Sequence, residues 1–128
     1  MDEAKLTLSI LPKKLAICRL EKNSTIPTWV TGNTFFSITK TDDELSIICP
    51  ENKVPHGVIS EKNWRAFKVM GPLDFSLTGI LASLANALAE AKISIISLST
   101  FDTDYILVKN NDLEKAVKVL RTFCNIQA

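Results

Sequence analysis

Histidine, glycine and clustered charge are scarce in this sequence, and each shortage removes a class of function. His56 is the single histidine in 128 residues. It stands between Pro55 and Gly57 in a stretch that reads as a surface loop, so a histidine triad or zinc site would have to hang on it alone. Only four glycines are present, and no GxGxxG or P-loop spacing occurs. Cys18, Cys49 and Cys124 have no CxxC spacing and sit within apolar runs. They read as small buried hydrophobes of a reducing compartment, not as a disulfide framework.

Charge and hydropathy exclude two further classes of partner. Fifteen basic residues balance fourteen acidic ones, and Lys13-Lys14 is the nearest approach to a basic cluster, so nucleic acid is not expected. The longest apolar stretch, 77–88, is interrupted by Ser83 and Asn86 and is too short to span a bilayer. Asp2 and Glu3 do not belong to a signal peptide. The acidic run Asp42-Asp43-Glu44 falls at a hairpin tip, where carboxylates are simply solvated. The expectation is a cytoplasmic protein without cofactor, metal or membrane contact, and not an enzyme.

What is present is a globular composition, 46% hydrophobic and 23% charged. A chain of this length buries about two-thirds of the surface its unfolded form exposes, so it needs no staple. The first half reads as strands: residues 6–10 alternate with period two, 11–14 turn, and 15–20 run back. Residues 26–30 make at most one helical turn. A second strand pair, 35–39 and 44–48, closes around Asp42-Asp43. The stretch 50–63, with two prolines and a glycine, has no clear element.

The second half has a plainer order. Residues 64–70 form a strand stopped by Gly71-Pro72. Leu77, Ile80, Leu81, Leu84, Leu88 and Ala91 make the 3.6-residue stripe of a helix lying on a sheet. Residues 93–99 and 105–108 are strands joined by Asp102-Thr103-Asp104. Leu113, Ala116, Val117, Leu120 and Cys124 form a second amphipathic helix, with Asp112 placed to cap it. The order β-α-β-β-α lacks one closing strand for a ferredoxin-like unit. That strand comes either from the short tail 125–127 or from the first half. The similar tempo of the first half suggests a degenerate copy of the same unit.

Two segments carry the functional reading. In Gly71–Ile80, a helix start offers free N–H groups to a carboxylate or phosphate, and Gly79 costs up to about 1 kcal/mol in a first turn unless something must come close to it. The plainer account makes Asp74 or Ser76 an N-cap and Gly79 a packing contact. In 97–105, two aspartates and several hydroxyls meet at a strand turn, which is equally the composition of an ordinary turn. Taken together, the helix start would hold a carboxylate and Asp104 an ammonium. That pairing suits a zwitterion.

Trp64-Arg65-Ala66-Phe67-Lys68-Val69, the run Gly-Pro-Leu-Asp-Phe-Ser-Leu-Thr-Gly-Ile-Leu at 71–81, and Ser-Thr-Phe-Asp-Thr-Asp-Tyr-Ile-Leu-Val at 99–108 resemble the ACT-domain proteins related to the CASTOR arginine sensors and to the regulatory regions of aspartate kinases. Phe35-Phe36-Ser37-Ile38-Thr39 with Asp43-Glu44-Leu45-Ser46 resembles the first-lobe pattern of the same group. The resemblance implies an α+β fold of two ferredoxin-like βαββαβ ACT lobes, with antiparallel sheets and helices on one face. It places a degenerate first lobe at 1–62 and a second at 63–128. It implies a regulatory protein whose small-molecule ligand, an amino acid, lies between lobes and touches Asp74, Gly79, Ile80, Thr100, Phe101 and Asp104. The arginine sensors carry a glutamate among these contacts where this chain has Leu77, so arginine itself is not implied. A four-lobe arrangement would need two chains, hence a homodimer, with a regulated partner protein beyond it. The alternative is a structural or protein-interaction module of the same fold.

Overall fold

The computed structural model describes residues 6–70 and 79–127, Ile80 through its backbone alone. The chain divides into two compact units, Lys13–Trp64 and the combination of Met1–Pro12 with Arg65–Ala128. The expected boundary at 62/63 falls inside one long strand, β5 (Ile59–Val69), whose residues 59–64 belong to the first unit and 65–69 to the second.

The first unit begins with β2 (Leu15–Leu20), followed by α1 (Thr28–Thr31), β3 (Ser37–Lys40) and β4 (Leu45–Pro50). A 3-10 turn, Glu51–Lys53, leads to β5. The strands lie in the order β3-β4-β2-β5, and every pairing is antiparallel. Alternation puts Ala16 and Cys18 of β2 on the same face as Leu45, Ile47 and Cys49 of β4. Val30 from α1 closes over that face, and all six are buried in one cluster.

The start of β5 was not expected as strand, and the reason is physical. Residues 59–63 read Ile-Ser-Glu-Lys-Asn, with no apolar alternation, because this stretch is held by backbone pairing of Ile59, Ser60 and Glu61 with Arg19, Cys18 and Ile17. Asn63 then adopts φ 75°, where the register with β2 shifts. Its N–H donates to Glu51 Oε1 at 2.8 Å. A bulge of this kind hides the period-two signal.

The second unit contains β1 (Leu6–Ile10), the end of β5, α2 (Ile80–Glu90), β6 (Ile95–Ser99), β7 (Asp104–Lys109), α3 (Leu113–Leu120) and β8 (Cys124–Gln127). Its strand order is β6-β7-β5-β1-β8. Leu8, Phe67, Val69, Ile106 and Val108 from the sheet pack with Leu84 and Leu88 of α2 and with Ala116 and Leu120 of α3 in one buried cluster. Both helices therefore cover the same face.

The expected antiparallel sheet is in fact mixed, because β1 pairs antiparallel with β5 but parallel with β8. β1 occupies the position beside β5, so the tail closes the sheet against β1. Both sources proposed for the closing strand are thus used at once. Cys124 is accordingly not in the second helix. α3 ends at Leu120, and Cys124 opens β8 opposite Leu6. Asp112 stands at the N-cap position but makes no side-chain cap bond there. Its φ −98°, ψ 0° continue the preceding 3-10 turn, Asn110–Asp112, whereas a capping side chain needs an extended backbone. The protein is an α+β fold with a mixed sheet and few helices. Among the described residues no helix is long and apolar enough to cross a membrane.

Candidate functional site

The turn between β6 and β7 is built by one threonine. Thr100 N–H donates to Thr103 O at 2.8 Å. The Thr100 hydroxyl donates to the same carbonyl at 3.1 Å and accepts the Thr103 N–H at 3.2 Å. The β3–β4 turn of the first unit repeats this set. Thr41 N–H donates to Glu44 O at 2.9 Å, the Thr41 hydroxyl donates to it at 3.4 Å, and Glu44 N–H returns to Thr41 Oγ1 at 3.1 Å. Both turns read Thr-x-Asp-x between strands.

This internal copy separates what a turn needs from what is added. Thr100 spends its hydrogen and one lone pair on the turn, leaving one acceptor site. Where the first unit pairs Lys40 with Leu45, the second pairs Ser99 with Asp104. There the Ser99 hydroxyl donates to Asp104 Oδ1 at 2.6 Å. Asp104 is half-buried, so a carboxylate held in place by one neutral donor keeps acceptor capacity for a cation. Phe101, at the tip, is 82% exposed. The bonds between Thr100 and Thr103 use neither side chain.

Thr103, not singled out from the sequence, is the buried polar residue of this corner, at 7% exposure. Its hydroxyl donates to Val69 O at the end of β5. On the other edge of that strand Met70 N–H donates to Thr7 O at 2.9 Å. Thr103 thus anchors the turn to the strand that leads into the passage before α2. Its signal lay in the cluster of hydroxyls at 97–105.

Of the expected contacts, Thr100, Phe101 and Asp104 are gathered on this one hairpin. Asp74 lies outside the described residues. Gly79 is exposed and is itself the N-cap of α2, at φ 83° and ψ −3°, with no side-chain cap bond. Ser83 N–H donates to Gly79 O at 2.8 Å, the first helical bond. An added Cβ would meet nothing within 4 Å among the described residues, and the φ of 83° is one that glycine adopts without strain. Gly79→Ala should therefore cost about 1–2 kcal/mol through the left-handed backbone alone. Gly32, at φ −79°, is the control, and its alanine variant should be neutral or up to about 1 kcal/mol more stable. Urea unfolding of the two variants checks the contrast.

An open depression of about 260 Å³ in the first unit is floored by strand residues including Arg19, Ser46 and Glu61. One of about 540 Å³ in the second lies between α2 and α3, near Asn86, Glu90 and Phe123. None of the expected contact residues lines either depression. His56 is exposed in a turn. Among the described residues no group of three or more His, Cys, Asp or Glu side chains could hold a metal ion.

The second unit is a mixed sheet with two helices on one face. The ACT domain family model matches residues 59–122, and the chain belongs to that family. A further family model, of an N-terminal domain, matches 13–57. The X-ray structure of a protein from Agobacterium tumefaciens is 39% identical with a TM-score of 0.89, over 98% of this chain and 96% of that one. The human cytosolic arginine sensor for mTORC1 subunit 1 is 32% identical over 96 residues, 69% of this chain and 29% of that protein. The chain therefore spans about three-tenths of that sensor's length. Aspartokinase alpha and beta subunits share the fold, with a TM-score of 0.65 at 16% identity over 93% of this chain and 97% of that one. The regulatory subunit of aspartate kinase from Thermus thermophilus also shares the fold, with a TM-score of 0.60 at 8% identity over 85% of this chain and 90% of that one.

Proposed function

We propose that this chain is an amino-acid-binding regulatory protein of the cytoplasm that performs no chemistry of its own. Its two units are read as ferredoxin-like ACT lobes, the first degenerate because its helices have shrunk to α1 and a 3-10 turn. The ligand is held at an interface between lobes, and a homodimer supplies four of them. Thr100, Phe101 and Asp104 contact it from the β6–β7 turn. Asp74, Gly79 and Ile80 contact it from the passage into α2. The observation that carries this reading is the polar pair at Ser99 and Asp104, where the threonine-built turn of the first unit has Lys40 and Leu45. Asp104 takes the ligand's ammonium, and N–H groups at the helix start take its carboxylate. The relatives' names support the class, a sensor of an amino acid and regulatory subunits of an amino-acid kinase.

A melting screen against the twenty amino acids tests the proposal. One of them, at about a hundred times its Kd, should stabilise the fold by about 2.7 kcal/mol. Asp104→Ala should weaken it roughly tenfold, about 1.4 kcal/mol, while leaving the unliganded melting point nearly unchanged. If no amino acid moves the curve, ligand binding is abandoned in favour of a protein-interaction module. The 82% exposure of Phe101 at the tip of the turn favours that second reading. Light scattering after size exclusion should give a dimer mass at micromolar concentration.

A further inference from the structure

The first unit buries two thiols side by side. Register pairs Ala16 with Cys49 and Cys18 with Ile47, so Cys18 and Cys49 are diagonal neighbours on adjacent strands. Both point into the same cluster, at 1% and 0% exposure. Cys124, by contrast, is buried in the other unit's core.

We propose that Cys18 and Cys49 close a reversible disulfide between β2 and β4 when the protein meets a peroxide. The two sulfurs are not equivalent. The neighbouring Cys49 side chain draws the Cys18 thiol below its ordinary range, with burial opposing and the Lys62 charge helping. The Cys18 side chain and burial push the Cys49 thiol up. The single Cys49 hydrogen has the Pro50 carbonyl as an acceptor at 3.6 Å. Cys18, which unlike Cys49 borders the open depression of the first unit, is thus the attacking thiolate and Cys49 the resolving thiol.

The Cys18 thiolate attacks one peroxide oxygen and displaces hydroxide, becoming a sulfenic acid. Cys49 gives up its proton and attacks that sulfur, and the sulfenic oxygen leaves as water. Two thiols and one peroxide become one disulfide and two waters. Diagonal neighbours lie about 7–8 Å apart at Cα, whereas disulfides span about 4.4–6.8 Å. The strands must therefore draw together, and the bond formed is strained and easily reduced. Burial means the oxidant enters through local opening of the sheet, so the reaction is slower than at an exposed thiol.

The full chain is incubated with hydrogen peroxide, unfolded, alkylated with iodoacetamide, and analysed by intact mass and peptide mapping. The expected product has lost about 2 Da, carries one alkyl group at Cys124, yields a Cys18–Cys49 cross-linked peptide, and reverts with dithiothreitol. In Cys49→Ser, dimedone should trap a sulfenic acid at Cys18. Three alkylated cysteines after peroxide, or a cross-link containing Cys124, would overturn the proposal. A dimedone adduct at Cys49 in Cys18→Ser, with none at Cys18 in Cys49→Ser, would overturn the assignment of the attacking thiol.

Discussion

Replacing Phe67 with alanine is expected to lower the free energy of unfolding by about 3–5 kcal/mol. Phe67 is fully buried near the end of β5 and pairs with Ile10 of β1. It shares one cluster with Leu84 and Leu88 of α2 and Leu120 of α3, so truncation opens a cavity where the sheet meets both helices. Such walls relax only partly, and the loss adds a cavity cost to the lost transfer energy. Against a total of about 5–15 kcal/mol, that is a large share. Ile59→Ala on the same strand is the control. Its side chain is 68% exposed, and its loss should cost within about 0.5 kcal/mol. Urea unfolding followed by circular dichroism measures both. A Phe67→Ala cost near that of Ile59→Ala would mean that this cluster does not hold the second unit together.

The contrast between Phe67 and Ile59 also explains which strands were legible in the sequence. β1 and β2 match their expected limits, 6–10 and 15–20, because two largely apolar runs are parted by the Pro12-Lys13-Lys14 turn. The β6–β7 hairpin was legible too, since β-branched residues flank an aspartate-rich turn. The first part of β5 was not, because its residues pair by backbone while leaving their side chains wet. The end of α3 was misplaced for a different reason. Leu120 and Cys124 are four apart, so the apolar stripe runs on past the helix. The backbone stops it where Thr122 Oγ1 donates to Val119 O at 2.7 Å and Phe123 N–H to Leu120 O at 3.1 Å. Both positions need burial, and burial alone does not say whether helix or strand provides it.

The site was legible in composition and less so in role. Hydroxyls and carboxylates at 97–105 marked the right turn, but sequence alone could not divide them into turn builders and free groups. The division emerges from Thr41, which makes the same bonds as Thr100 in a turn with no partner for Asp104. Gly79 was read as out of place inside a helix, whereas its φ of 83° puts it just ahead of one. A positive φ leaves no trace in a hydrophobic pattern, and only the residue type hints at it.

Thr103→Val is the change with most to say about that corner, and it is expected to cost about 1–3 kcal/mol. Valine keeps the shape and removes the hydroxyl, so the volume of the buried site is unchanged and the hydrogen bond to Val69 O is lost. The carbonyl then stays buried without this donor, and that desolvation sets the cost. Thr103→Ser, which keeps the donor, should recover most of the loss. The variant also bears on binding. Thr103 fixes the turn that carries Thr100, Phe101 and Asp104 to the end of β5, so loosening it should weaken ligand-induced stabilisation even at temperatures where the fold remains intact. Asp104→Ala should show the reverse, with unliganded stability kept and ligand response lost. If Thr103→Val lowers stability but leaves the ligand response whole, the turn does not position the ligand. Its threonines are then features of the fold alone, as Thr41 is in the first unit.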